Sequence, residues 1–191
     1  MVIDLSEALP AAKSLIGCKL THDSPEGRTA GVIVETEVYM MGDPASHTFR
    51  GPGARNRVMF GPAAGIYVYL TYGLHYCVNI VTGGEGDGQG VLLRALQPVE
   101  GLELMRARRG LEDECKLANG PGKLAQAMGM NLTHNGVRLG EGQLHLERVY
   151  EPDHIIQTTR IGITKAVEKP WRFLEAGNRY VSRPPARILE P

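Results

Sequence analysis

Residues 65–81, GIYVYLTYGLHYCVNIV, hold two apolar runs separated by Tyr72-Gly73, and beyond the glycine-rich TGGEGDGQG the segment VLLRALQP supplies a third. So short a break folds the first two runs into a β-hairpin, with the third strand to follow. RTAGVIVETEVY is the first convincing strand along the chain, and QLHLERVY, RIGIT and RYVS read as brief ones near its end. Helical signals are short. SEALPAAKSLIG has Ser6 as a cap and Gly17 as its close, PVEGLELMRARRG has an arginine-loaded end, and a Gly-Pro turn leads into a helix in LANGPGKLAQAMGM. Strands and helices mix without strict βαβ alternation, which predicts an α+β domain on a mainly antiparallel sheet.

A chain of 191 residues fits one domain, taken as 1–191, with a substantial core. Hydrophobic residues at 42% and charged residues at 22% are globular values, and no apolar run approaches the roughly 20 residues that cross a bilayer, so no membrane partner is expected. MVIDLSEALP carries acids where an export signal carries bases, which places the protein in the cytoplasm. Cys18, Cys77 and Cys115 form no CxxC pair and the histidines form no HExxH, so reduced thiols and neither metal nor cofactor are expected.

Side-chain alternation in VETEVY puts Val34, Thr36 and Val38 on one face and Glu35, Glu37 and Tyr39 on the other, a polar face that by itself reads as solvated. The 18 residues from Met40 to Arg57 are rich in Gly, Pro, Asp and Ser, and a loop of that length in a compact domain is usually functional. In the hairpin, Ile66, Val68 and Leu70 alternate with Tyr67, Tyr69 and Thr71, so one face packs inward and the other presents rings. Tyr72 falls at the tip, poorly placed for packing and well placed as a wedge between base steps.

Zero net charge gives no general pull toward nucleic acid, yet residues 47–109 hold 7 Lys+Arg against 4 Asp+Glu while residues 1–46 hold 3 against 7. The basic residues gather in FRGPGARNR (Arg50, Arg55, Arg57) and MRARRG (Arg106, Arg108, Arg109), which suggests a local positive face. Two motifs are decoys. GGEGDGQG lies between strands and opens no helix, and GPGK lacks the first glycine and the Ser or Thr of a phosphate loop. What remains at GPGK is a helix start with Lys123 beside it, able to hold one backbone phosphate. Rings that could sandwich a base (Tyr39, Tyr69, His47), a carboxylate (Glu37), a wedge and nearby arginines are together the parts needed to extrude a nucleotide and act on it.

The blocks VETEVY…DPASH, RNRVMF, YVYLTYG, CVNIV, VLLRALQP, NGPGKLAQAMG and RIGI…PWRF, in this order and over about residues 5–183, resemble the alkyladenine (3-methyladenine) DNA glycosylase family, in its bacterial form. The resemblance implies a single mixed domain with a curved, mainly antiparallel sheet, surrounding helices and a protruding hairpin. It implies Glu37 as the catalytic glutamate with Arg94 near the backbone of the flipped nucleotide. Tyr39, Ala45, His47 and Tyr69 would form the base pocket, with Asn79 screening the purine and Tyr72 filling the gap in the stack. Arg55, Arg57 and Lys123 are the expected DNA-backbone contacts. The implied partner is damaged double-stranded DNA, bound by a monomer at the bacterial nucleoid.

Breaking an N-glycosidic bond develops oxocarbenium character in the sugar, so a carboxylate there stabilises charge and activates water. Glu37 is the candidate for both tasks, and Glu35, one pleat back, takes a structural or electrostatic part. No lysine lies in the pocket-forming segments, which favours a monofunctional hydrolase over a Schiff-base lyase. A non-catalytic nucleic-acid-binding domain would leave Glu37 idle, and a carbohydrate-active hydrolase would leave Tyr72 without a role.

Overall fold

The structure, a computed structural model, describes residues 3–184; the outermost ends of the expected 1–191 domain lie outside the described residues. Its elements are α1 (Ala8–Ser14), β1 (Cys18–Ser24), β2 (Gly27–Tyr39), β3 (Ile66–Thr71), β4 (His75–Thr82), β5 (Gln89–Glu100), α2 (Leu102–Arg109), α3 (Pro121–Met128), β6 (Leu144–Arg148), β7 (Ile155–Thr158) and β8 (Arg172–Glu175). Among the described residues, the eight strands make one antiparallel sheet in the order β3-β4-β5-β2-β1-β6, with β8 bridging β2 and β7. The protein is an α+β single domain, and the hairpin is β3–β4 at one edge of the sheet.

β2 is the spine. β5 pairs along one of its edges, while β1 takes the first half of the other edge and β8 the second. Pairing with β5 slips on both sides of Glu35, from Ile33↔Leu96 to Glu35↔Ala95 to Thr36↔Leu93. Such irregularities re-aim side chains. Strict alternation therefore fails: Val34 packs with Ala95 and Tyr180, whereas Val38 joins the main core of Leu20, Ile33, Ile80, Leu93 and Phe173. Nor is the acidic face solvated, since Glu35 and Glu37 are wholly buried. Helix α1 packs on β2 and β5, α3 on β4 and β5, and α2 on α3.

Local chemistry explains other departures from the sequence reading. Ser6 is not the cap of α1: Glu7 holds that position without a side-chain bond, and the Ala8 N–H donates to Gln89 Oε1 at 3.2 Å. Pro98 to Glu100 extend β5 and do not open α2. RIGIT and RYVS are not strands, and β1, β7 and β8 are additional ones. The MRARRG arginines form no free positive face. Arg106 pairs with Glu103 and Glu112, Arg108 with Glu26, and Arg109 donates to Leu117 O at 2.9 Å, so they brace α2 against its neighbours.

A buried histidine pair staples β1 to the turn after α3. His22 Nδ1 lies 2.7 Å from Met128 O, the two Nε2 atoms are 3.1 Å apart, and the Asn131 N–H donates to His134 Nδ1 at 3.2 Å. One proton arrangement that fits these contacts puts the His22 proton on Nδ1, toward Met128 O, and the His134 proton on Nε2, toward His22.

Candidate active site

β2 ends in Glu37 and Tyr39 where the sheet meets the long loop, and β3, β4 and β5 run alongside. Between them lies a cavity of about 600 Å³ walled by Tyr39, Ala45 and His47, by Tyr67, Tyr69, Cys77 and Asn79 of the hairpin strands, and by Arg94 of β5. Arg55, Tyr72 and the segment Ile161-Gly162-Ile163 complete its rim. A space of this size takes a nucleobase with room for its sugar.

Glu37 is wholly buried and does not itself line the cavity; it lies behind Tyr39, Arg94 and Ile161, which do. Its Oε2 accepts from the Tyr39 hydroxyl at 2.8 Å and faces Arg94 Nη1 at 3.3 Å, and its Oε1 accepts the Ile161 N–H at 2.8 Å. Of the four or so lone-pair directions of a carboxylate, these contacts leave one on Oε1. Burial pushes the Glu37 carboxyl above its ordinary range, outweighing the Arg94 guanidinium, the Ile161 N–H and the Tyr39 hydroxyl, while Glu35 adds to the rise. A carboxylate held this way is a better base than a free one.

Glu35 is built differently. Its Oε1 receives Arg94 Nε at 3.1 Å, Arg172 Nε at 2.7 Å and the Ser182 hydroxyl at 2.8 Å, and its Oε2 receives the Ser182 N–H. Saturated by two guanidinium groups and a serine, it has nothing left for a substrate and serves to hold Arg94.

The aromatic wall is rigid. Tyr67 and Tyr69 stack with centroids 5.5 Å apart, and His47 stands edge-on to Tyr69 at 4.5 Å with its Nδ1 3.0 Å from the Tyr67 hydroxyl. His47 is exposed as a residue, yet the buried side of its ring and the nearby Arg55 lower its pKa, so it is neutral at physiological pH. Asn79 is buried and donates to Tyr67 O at 3.2 Å. Cys77 is 4% exposed, and burial raises its thiol pKa.

At the hairpin tip Tyr72 has φ +50° and Gly73 φ +69°, and the Leu74 N–H donates to Thr71 O at 3.1 Å, which together make a type I′ turn. Tyr72 is 86% exposed in a left-handed conformation that costs a tyrosine free energy. Strain of this kind collects at functional positions.

The three expected backbone contacts are less uniform. Arg55 sits on the rim, donating to Leu70 O at 3.1 Å with its guanidinium 5.8 Å from the Tyr69 centroid. Arg57 is exposed, with no hydrogen-bond or ionic partner among the described residues, and does not line the cavity. Lys123 is exposed beside the α3 start and donates to Asn119 Oδ1 at 2.8 Å. Tyr67, Cys77, Ile161, Ser182 and Arg172 escaped the sequence reading as site residues. Of these, only Tyr67 carried a signal, since it alternates in step with Tyr69.

Among the described residues no group of three or more His, Cys, Asp or Glu side chains is placed to hold a metal, and no helix is long and apolar enough to cross a membrane.

The family model for methylpurine-DNA glycosylase matches residues 4–179. A protein of Methanoculleus marisnigri named "Putative 3-methyladenine DNA glycosylase" is 54% identical over 93% of this chain and 94% of its own length. Proteins of the same name from Rhodopseudomonas palustris and Rubrobacter xylanophilus are 51% and 49% identical, each over 91% of this chain and over 84% and 91% of their own lengths. The match runs through every element that builds the cavity, and the chain belongs to the methylpurine-DNA glycosylase family, the DNA glycosylases of base-excision repair.

Proposed function

We propose that this protein flips 3-methyladenine, 7-methylguanine and related alkylated or deaminated purines out of duplex DNA and hydrolyses their N-glycosidic bond, with water activated by Glu37. The observation that carries this reading is the Glu37 carboxylate. It is buried and held by three donors, Tyr39, Arg94 and Ile161, each of which lines a base-sized, ring-walled cavity, and the exposed Tyr72 stands at that cavity's rim.

The chemistry follows from the parts. Tyr72 enters the stack as the target nucleotide leaves it, offsetting an unstacking cost of a few kcal/mol. Tyr39 and Tyr69 hold the base. A ring methylated at N3 or N7 is cationic, and its attraction to an aromatic face contributes about 0.5–2 kcal/mol, so damage is selected partly by charge. As the glycosidic bond lengthens, positive charge grows on the sugar near the Glu37 carboxylate, and the water on Oε1 loses its proton to Glu37 as it attacks the anomeric carbon. Arg94 holds the other oxygen and opposes the upward push of burial on the carboxyl. Asn79 stands against the purine edge and obstructs a 2-amino group. Arg55, Arg57 and Lys123 meet backbone phosphates.

Among the described residues no lysine lines the cavity, so no amine is placed to capture the sugar as a Schiff base, and the product is an abasic site. Every group in the scheme comes from one chain, which suits a monomer, and a genomic substrate places it in the cytoplasm at the nucleoid. The test is release of free base from duplexes carrying one defined lesion, followed by alkali. Free base together with alkali-dependent strand breaks supports the reading. Binding without base release would make the protein a lesion-binding module, and breaks without alkali would make it a lyase.

A further inference from the structure

Arg160 follows β7 and touches Tyr39 of the cavity wall, the β2 backbone beside it, and Asp43 in the loop that carries Ala45 and His47. Its side chain is fully buried, forms a bidentate pair with the equally buried Asp43, and donates to Val38 O at 2.9 Å, between Glu37 and Tyr39 on β2. Its guanidinium lies 4.7 Å from the Tyr39 ring centroid and 5.1 Å from that of Trp171, and Lys169 covers Trp171 at 4.0 Å. Asp43 in turn accepts the Ala45 N–H at 3.3 Å and, through its carbonyl, the Ser46 N–H at 2.9 Å, shaping the turn that carries Ala45 and His47. The residue next to Arg160 is Ile161, whose N–H reaches Glu37.

We propose that Arg160 is the positioning residue that sets catalytic acid, stacking ring and pocket loop in register. One planar fork fixes the backbone beside Glu37, covers one face of Tyr39 so that only the other can meet a base, and anchors the loop through Asp43. It also holds the peptide that aims an N–H at Glu37. A lysine would keep the charge and lose the fork, the planar stack and two of the directed hydrogen bonds. This inference rests on the reading of Glu37 as the catalytic base. The groups facing Glu37 are Arg94 from β5, Tyr39 and Glu35 from its own strand, Tyr69 and Cys77 from the hairpin, and Arg172 from β8 acting through Glu35. Of these, Arg160 touches Tyr39 alone, and it acts on Glu37 otherwise through the neighbouring Ile161 peptide.

The experiment compares Arg160→Lys with wild type in single-turnover excision across pH, below the melting temperature of both. Expected are a rate lower by roughly 10- to 100-fold and an acid limb displaced upward by about one pH unit as the Ile161 N–H loosens from the carboxylate. A lower melting temperature with wild-type rate and acid limb would make Arg160 a structural brace and overturn the proposal. If Arg160→Lys does not accumulate as folded protein, Asp43→Asn is used, and the same two changes are expected on a smaller scale; their absence has the same meaning. Glu37→Gln runs in parallel. If that variant excises normally, the reading of Glu37 has failed, whereas a silent Arg160→Lys beside an inactive Glu37→Gln refutes the role of Arg160 alone.

Discussion

Glu35 and Glu37 stand two residues apart and both are buried, but replacing each by glutamine should damage different properties. Glu37 is held above its ordinary pKa of 4.5, so the folded state keeps that proton more tightly than the unfolded chain does. Stability therefore falls as pH rises from the unfolded value through the raised folded one, and at neutral pH Glu37 is a net cost to folding. Glutamine removes that cost. Arg94 is not stranded, because Glu35 remains 3.1 Å from its Nε. Glu37→Gln should melt at or above the wild-type temperature at pH 7 while excision falls by about 10²–10⁴-fold, the usual worth of a general base. Glu35→Gln removes the carboxylate partner of the buried Arg172 and leaves Arg94 to Glu37 alone. Leaving a buried charge uncompensated costs about 3–5 kcal/mol, or roughly 6–20 °C in melting temperature for a chain of this length. The assays are thermal melting by circular dichroism and single-turnover excision of hypoxanthine or 1,N6-ethenoadenine, neutral bases that leave slowly unaided, with rates expressed per folded molecule. Near-normal excision by Glu37→Gln, or a greater loss of rate per folded molecule in Glu35→Gln, would show that the wrong carboxylate has been placed at the anomeric carbon.

Three further outcomes are expected. Tyr72→Asn converts the tip to Asn-Gly, the favoured type I′ pair, so stability should hold or rise by up to about 1 kcal/mol while lesion binding and excision fall, less so on mispaired lesions; equal loss on paired and mispaired lesions would exclude the wedge. Asn79→Ser should raise excision of guanine-derived bases relative to adenine-derived ones, and an unchanged ratio in competition assays would take Asn79 off the recognition surface. Burial and His22 depress the pKa of His134 below 6.5, so its contribution to stability is complete above that value and is lost as pH falls from there toward the folded value; melting curves against pH should show this slope in wild type and lose it in His134→Gln.

What the sequence disclosed and what it hid divide along physical lines. The hairpin, its tip and the aromatic face are local patterns, readable because turn chemistry and a period of two act over a few residues. The meaning of Glu35 was not local: its partners Arg94, Arg172 and Ser182 lie 59, 137 and 147 residues away. Burial of both faces of β2 likewise depends on distant groups, with α1 and the main core on one side and Ala95 and Tyr180 on the other. RIGIT and RYVS have the composition of strands but spend backbone donors elsewhere, Ile161 on Glu37 and Ser182 on Glu35. An N–H committed to a side chain is withdrawn from a ladder, and no propensity registers that. MRARRG was misleading in the opposite sense, because its guanidinium groups are engaged by Glu103 one turn back, by the Leu117 carbonyl and by the distant Glu26.

The thiol in the cavity wall has a consequence for survival. Electrophiles that alkylate nucleobases also react with cysteine, through its thiolate form. Cys77 lines the cavity, where one added methyl group would narrow the space. Burial keeps it protonated and the walls leave it 4% exposed, so it is a poor nucleophile. Cys18, pushed up to about 11 in the core, is shielded by the same means. The packing that shapes the pocket thus also shields its own thiol from such reagents.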